Sequence, residues 1–192
     1  MSDSTDSLTE PGARPAGRAG RFDQVSIALH WLTVLLVLSQ FTTAWLVPQS
    51  SSAPQLLFVH RSTGIAIWLV IAARLFWRHR FADLPPFPAS MPMLQRHIAK
   101  LNEYGLYVLL LVQPLTGLGN ALFRGRPLAL FFWTLPPVFS PQPGVFHVLS
   151  ALHELGADAL LALVGFHAAA ALLHGIWLRD GVLQRMLPWT PR

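Results

Sequence analysis

Four stretches of this chain, about residues 25–47, 56–77, 101–123 and 147–177, are each apolar over close to or more than the roughly 20 residues that cross the hydrocarbon core of a bilayer as a helix. Lipid offers no hydrogen bonds to a polypeptide backbone, so such stretches satisfy their amides internally as helices. The expected fold is therefore all-α, an integral membrane four-helix bundle. Composition agrees, with 53% hydrophobic residues and only 12% charged, against about 25% charged in ordinary soluble domains.

A short polar connector, PQSSSAPQ (48–55), a proline-rich link, RHRFADLPPFPASMPMLQR (78–96), and a longer aromatic and proline-rich loop, RGRPLALFFWTLPPVFSPQPG (124–144), join the spans. No internal repeat is evident. Residues 1–21, rich in Ser, Gly, Pro and Arg, read as a disordered tail, and residues 22–192 as one domain. The first apolar run exceeds the core of a signal peptide, although Ser51–Ala53 resembles a small-residue cleavage site, so a retained span is expected.

Arg14, Arg18 and Arg21 precede the first span. Arg78, Arg80, Arg96 and Lys100 lie in or beside the second link, Arg124 and Arg126 open the third loop, and Arg179, Arg185 and Arg192 follow the last span. The positive-inside rule then puts both termini and the second link on the cytoplasmic side of the membrane, with lipid as the surrounding partner. The net charge of +5 comes from 14 basic residues scattered between apolar segments. This is not the basic stripe with interleaved aromatics that marks a nucleic-acid surface.

The chain has no cysteine. Disulfides, iron–sulfur clusters, thiolate zinc sites and covalently attached c-type haem are excluded together. Any cofactor must be held by histidine or carboxylate, and eight histidines are present. His79 and His97 lie in the second link and His147 at the start of the fourth span, where solvated or interfacial roles suffice. The other five lie deeper.

His30 sits about five residues inside the cytoplasmic end of the first span, and His60 about as far inside the outer end of the second. On the fourth span, His153 and His167 are 14 residues apart, about 21 Å along a helix axis and within about 40° of one face. His153 therefore matches His60 in depth, and His167 approaches His30. Two histidine pairs, one near each end of a four-helix bundle, are an arrangement for two bis-imidazole haems. Gly64, Gly156 and Gly165 beside these histidines would leave room for a flat macrocycle. His174, seven residues beyond His167 and within about 20° of its face, competes as a partner for His30. Its place near the boundary suits a quinone or propionate contact better.

The segments SIALHWL (26–32), VHRSTGI (59–65), QPLTGL (113–118), LHELGADALLALVGFHAAAALLHG (152–175) and RDGVLQRMLP (179–188) together resemble the bacterial cytochrome b561 family. Within it the chain is most similar to the small four-helix di-haem superoxide:ubiquinone oxidoreductases. The resemblance runs from residue 22 to the end. It implies two haem b groups, with iron held by His30 and His167 on the cytoplasmic side and by His60 and His153 on the periplasmic side. The stretch KLNEYGLY (100–107) lacks a histidine that relatives often carry, and Leu152 stands where an aromatic can occur.

Two imidazoles on one iron leave no open position, so the expected chemistry is electron transfer between an outside donor and an inside acceptor. For superoxide oxidation, Arg61, Arg124 and Arg126 are the candidates for steering the anion. His174, Arg74 and Trp177 are the candidates at the ubiquinone end, with His174 as the proton donor. Arg snorkelling and interfacial Trp are the structural alternatives for Arg74 and Trp177. The loop 124–144 is either a lid over the outer haem or an aromatic interface segment. Two competing functions remain. One is a haem b membrane subunit passing electrons between quinone and a separate redox partner protein. The other is an intramembrane metal transporter, for which the spans offer only Glu103, Glu154 and Asp158.

Overall fold

A computed structural model describes residues 20–189, so the N-terminal tail lies almost wholly outside the described residues. Four long helices are present: α1 (Gln24–Leu46), α2 (Ala53–Arg80), α3 (Met93–Leu122) and α4 (Pro143–Leu172). Each is long and apolar enough to cross a membrane. α2, α3 and α4 begin before their apolar stretches. α3 begins eight residues before the apolar run, at Met93 directly after Pro92, and carries Pro114 in its interior.

α1 starts where Asp23 caps it, its Oδ1 accepting the Ser26 amide at 2.9 Å. The same oxygen accepts the Trp77 indole N–H of α2 at 2.9 Å. Burial raises the Asp23 carboxyl pKa, but donation from Ser26 and Trp77 outweighs it and leaves the group below its ordinary value. At the other extreme, α4 loosens into a π turn over Leu173–Leu178, then reverses through Arg179 and Gly181, both at positive φ. The returning segment, with a 3-10 turn over Leu183–Met186, runs back beneath α1. There the Trp31 indole donates to the Met186 carbonyl at 2.8 Å, and Arg185 donates to the Pro86 carbonyl at 2.6 Å.

α1 packs closely on α2, and α3 on α4, while the two hairpins meet along α2 and α3. α1 and α4 are not a closely packed pair. A midplane layer of Val37, Ile67, Ile71, Leu110 and Leu160 draws one or two side chains from every helix. Dispersion contacts in this layer hold the hairpins together, since lipid tails remove the usual hydrophobic drive for association.

The 124–144 segment has its own structure. Strands β1 (Leu128–Leu130) and β2 (Trp133–Leu135) pair antiparallel, with Leu128 opposite Leu135. The turn between them puts Phe131 at positive φ and leaves Phe132 99% exposed. Leu128 is buried, and the Phe131 amide donates to Ser62 Oγ at 2.8 Å, which pins the turn to α2. We call this the hairpin end of the bundle and the opposite one, where the described residues begin and end, the terminal end.

Candidate haem sites at two ends of one bundle

The structure brings the four deep histidines together in two pairs, each bridging the two helical hairpins. His60 of α2 and His153 of α4 meet at the hairpin end with ring centres 6.2 Å apart and planes at 83°. His30 of α1 and His167 of α4 meet at the terminal end, 6.1 Å apart and at 62°. Imidazole nitrogens bind a metal at about 2 Å, so two rings on opposite sides of one ion have centres about 6 Å apart. An edge-to-face stack has a similar spacing. The hydrogen bonds behind the rings distinguish the two arrangements.

Behind His60, the Thr43 hydroxyl spends its proton on the Ser39 carbonyl at 2.7 Å and meets His60 Nδ1 at 3.1 Å. Its remaining lone pair can only accept there, so Nδ1 carries the ring proton. Behind His153, Nδ1 lies 3.1 Å from the Gln113 carbonyl, an acceptor only, and 3.0 Å from the Thr116 hydroxyl. Both rings are thereby held as Nδ1–H donors with the Nε2 lone pair free for a metal, the tautomer that metal-bound histidines adopt. Gln40 Nε2 donates to the His60 carbonyl at 2.8 Å, and Gln113 Nε2 to the His153 carbonyl at 2.9 Å.

These partners form a recurrence that the sequence did not disclose: Gln40-x-x-Thr43 on α1 braces the histidine of α2, and Gln113-x-x-Thr116 on α3 braces that of α4. Glutamine and threonine are common in membrane helices as interhelical glue. Only knowledge of which helices are neighbours reveals the repeat. Gly64 lines the cavity beside His60, while other glycines make room for protein groups. A Cβ on Gly156 would come within 2.6 Å of the Gln113 amide oxygen, and one on Gly117 within 2.9 Å of the His153 ring. Gly156 thus admits the bracing amide, and Gly64 likewise faces Gln40. Nothing lies within 4 Å of the Gly165 position.

A cavity of about 450 Å³ opens between His60 and His153, lined mainly by apolar side chains together with Arg61, Arg124, Glu154 and the two bracing glutamines. That is within the range of cavities that hold cofactors. Leu128 and Leu130 of the β-hairpin form part of its wall, so the loop does cover this site. Arg124 donates from Nε to Asn120 Oδ1 at 3.0 Å and lies over the Phe146 ring. Arg126 is exposed on the loop and does not line the cavity.

The terminal end is built differently. His30 Nδ1 is buried without a hydrogen-bond partner among the described residues, and His167 is exposed along the seam between α1 and α4. Arg74 lies close enough to act electrostatically on both rings, with its guanidinium 5.5 Å over the Tyr107 ring. His174 is not part of this pair. Its Nδ1 meets Asp180 Oδ2 at 2.5 Å across the reversal after the π turn. Burial raises the Asp180 carboxyl pKa, but hydrogen bonds from His174 and the Val182 amide prevail and hold it below its ordinary value. Trp177 is 82% exposed. Among the described residues there is no cluster of three or more histidines and carboxylates suited to a bare metal ion.

A profile of the family described as Prokaryotic cytochrome b561 matches residues 21–189, nearly the whole of the chain. The chain belongs to the prokaryotic cytochrome b561 family. Cytochrome b561 proteins bind b-type haem, so this is a multi-pass bacterial membrane haem protein of electron transfer. Similar proteins include Cytochrome b561 homolog 1 of Escherichia coli K12, 29% identical over 172 residues, covering 88% of this chain and 97% of the relative. Probable superoxide oxidase CybB of Yersinia pestis is 30% identical over 171 residues, covering 88% and 96%. Cytochrome b561 homolog 2 of E. coli K12 is 29% identical over 175 residues, covering 87% and 91%. For a b561 cytochrome the donor set at the hairpin end fits haem, with paired imidazoles, free Nε2 lone pairs and an apolar cavity, and the terminal end repeats the paired imidazoles.

Proposed function

We propose that this cytochrome is a superoxide:ubiquinone oxidoreductase of the bacterial inner membrane. In this reading His60 and His153 hold one haem b at the periplasmic hairpin end, and His30 and His167 hold a second at the cytoplasmic terminal end. The observation that carries it is the pairing itself: two imidazole pairs near 6 Å, at opposite ends of one bundle, separated by the midplane layer. Haem held by two imidazoles supplies a one-electron carrier with no vacant coordination position. Two superoxide anions give up one electron each and leave as two oxygen molecules; one ubiquinone takes both electrons and two protons to become ubiquinol.

The chain's own groups account for the two ends. Arg61 and Arg124, both on the cavity wall, supply the positive field that draws a small anion toward the hairpin end. Arg126 extends that field on the exposed loop. At the terminal end, His174 is oriented through Nδ1 by Asp180 and serves as proton donor to the quinone, while the exposed Trp177 indole offers a flat contact. Arg74 stands beside the histidine pair and acts on its charge. The name of the Yersinia pestis relative supports the choice of superoxide.

The test is a superoxide pulse delivered anaerobically to the purified haem-loaded protein, with haem absorbance followed with and without ubiquinone. Fast reduction, then reoxidation only when quinone is present, is expected. Two haems that ignore superoxide would contradict the proposal and favour a subunit that exchanges electrons between quinone and a redox partner protein.

A further inference from the structure

The two histidine pairs differ in what stands behind their rings, and the difference has an electronic consequence. At the hairpin end, both Nδ1–H groups donate to oxygen, which draws electron density onto Nε2 and makes each imidazole a stronger base toward iron. A stronger base stabilises the more positive, oxidised metal and lowers its reduction potential. At the terminal end, His30 Nδ1 has no acceptor among the described residues and that gain is missing.

Charges add less to this contrast, because Arg61 and Arg124 line the hairpin-end cavity together with Glu154. Arg61 acts on His60 and Glu154 on His153, with opposite signs. Arg74 acts on both His30 and His167, and a buried cation disfavours oxidised iron. Glu103 also acts on His167, but its carboxylate is already held by Arg78 at 2.8 Å and Lys100 at 3.1 Å.

We propose that the two Gln-x-x-Thr segments, Gln40/Thr43 and Gln113/Thr116, are positioning residues that set the hairpin-end haem at a lower potential than the terminal-end haem. The glutamines fix the backbone of each histidine and the threonines fix its ring, so orientation and basicity are set together. Electrons entering at the hairpin end then run downhill to the terminal end. The inference rests on the two-haem reading proposed above, and does not depend on which molecule donates the electrons.

Redox potentiometry of the purified holoprotein, with haem content measured on the same sample, separates the two. Two haems per chain with distinct midpoint potentials are expected in the wild type. In the double variant Thr43→Val/Thr116→Val the lower potential rises toward the upper one, and the upper one stays in place. The hydroxyl-retaining Thr43→Ser/Thr116→Ser protein keeps the wild-type values. If the double variant loses haem, Thr43→Val alone carries the same expectation with a smaller shift, because His153 Nδ1 keeps the Gln113 carbonyl as an acceptor when Thr116 is replaced. Movement of the upper component, or none in either, overturns the inference while leaving the two-haem reading intact. A wild-type content of one haem per chain overturns that reading as well.

Discussion

At the hairpin end, His60 and His153 each give a ring proton to oxygen and each carry a glutamine amide on the backbone carbonyl, beside a 450 Å³ cavity. At the terminal end, His30 has a buried Nδ1 without a partner among the described residues, His167 lies open along a seam, and a cation stands beside both. The spacing of the rings is nearly the same. Equal ring spacing thus does not make the two pairs alike, and the partners behind the rings tell them apart. One bundle thereby places two similar histidine pairs in unequal environments, and the sharpest difference is in neutral amides and hydroxyls.

The largest expected effect separates entry from exit. His60→Ala should abolish superoxide-driven haem reduction, because the ligand at the receiving end is gone. His30→Ala should leave that reduction in place and abolish reoxidation by ubiquinone; stopped-flow absorbance distinguishes the two. Equal loss of both steps in both variants would break the comparison.

Next in size is the cost of the brace. Gln113→Leu removes a buried amide whose carbonyl partner then loses a donor, and a destabilisation of about 1–3 kcal/mol is expected in thermal unfolding in detergent. Gln40→Leu, at a less buried position, should cost less. A charge change should sharpen the contrast from the other side. Arg74→Met removes the cation beside His30 and His167, so the upper midpoint potential should fall while the lower stays, which potentiometry reads directly.

The smallest effect belongs to the termini. Asp23 and Asp180 are held below their ordinary values, so the stability they contribute is fully present above about pH 4, the unfolded carboxylate value, and is lost as pH falls through their lowered values. Asp180→Asn should flatten the acid side of the melting-temperature profile and leave it unchanged near neutrality, as a pH series of melting curves would show.

Much of this was legible in the amino-acid order. Four apolar runs dictate four helices, and the rise of a helix puts His153 and His167 at the depths of His60 and His30, where the structure brings the rings together. The bracing residues were not legible. Gln40 and Thr43 lie in the same helix as His30 yet serve His60, and such a relation exists only after α1 and α2 have packed. Gly156 looked like room for a macrocycle, but its missing Cβ makes room for Gln113. Loop 124–144 showed its aromatics and prolines, while its strand pairing and its anchor on Ser62 depend on contacts with α2.

The central claim is that two separate bis-histidine haem sites lie along α4, and haem content with the electron paramagnetic resonance of the oxidised protein tests it most directly. The wild type should hold about two low-spin haems per chain, and His153→Ala and His167→Ala should each retain about one, losing different low-spin signals. A single haem in the wild type, or loss of the same signal in both variants, would contradict it.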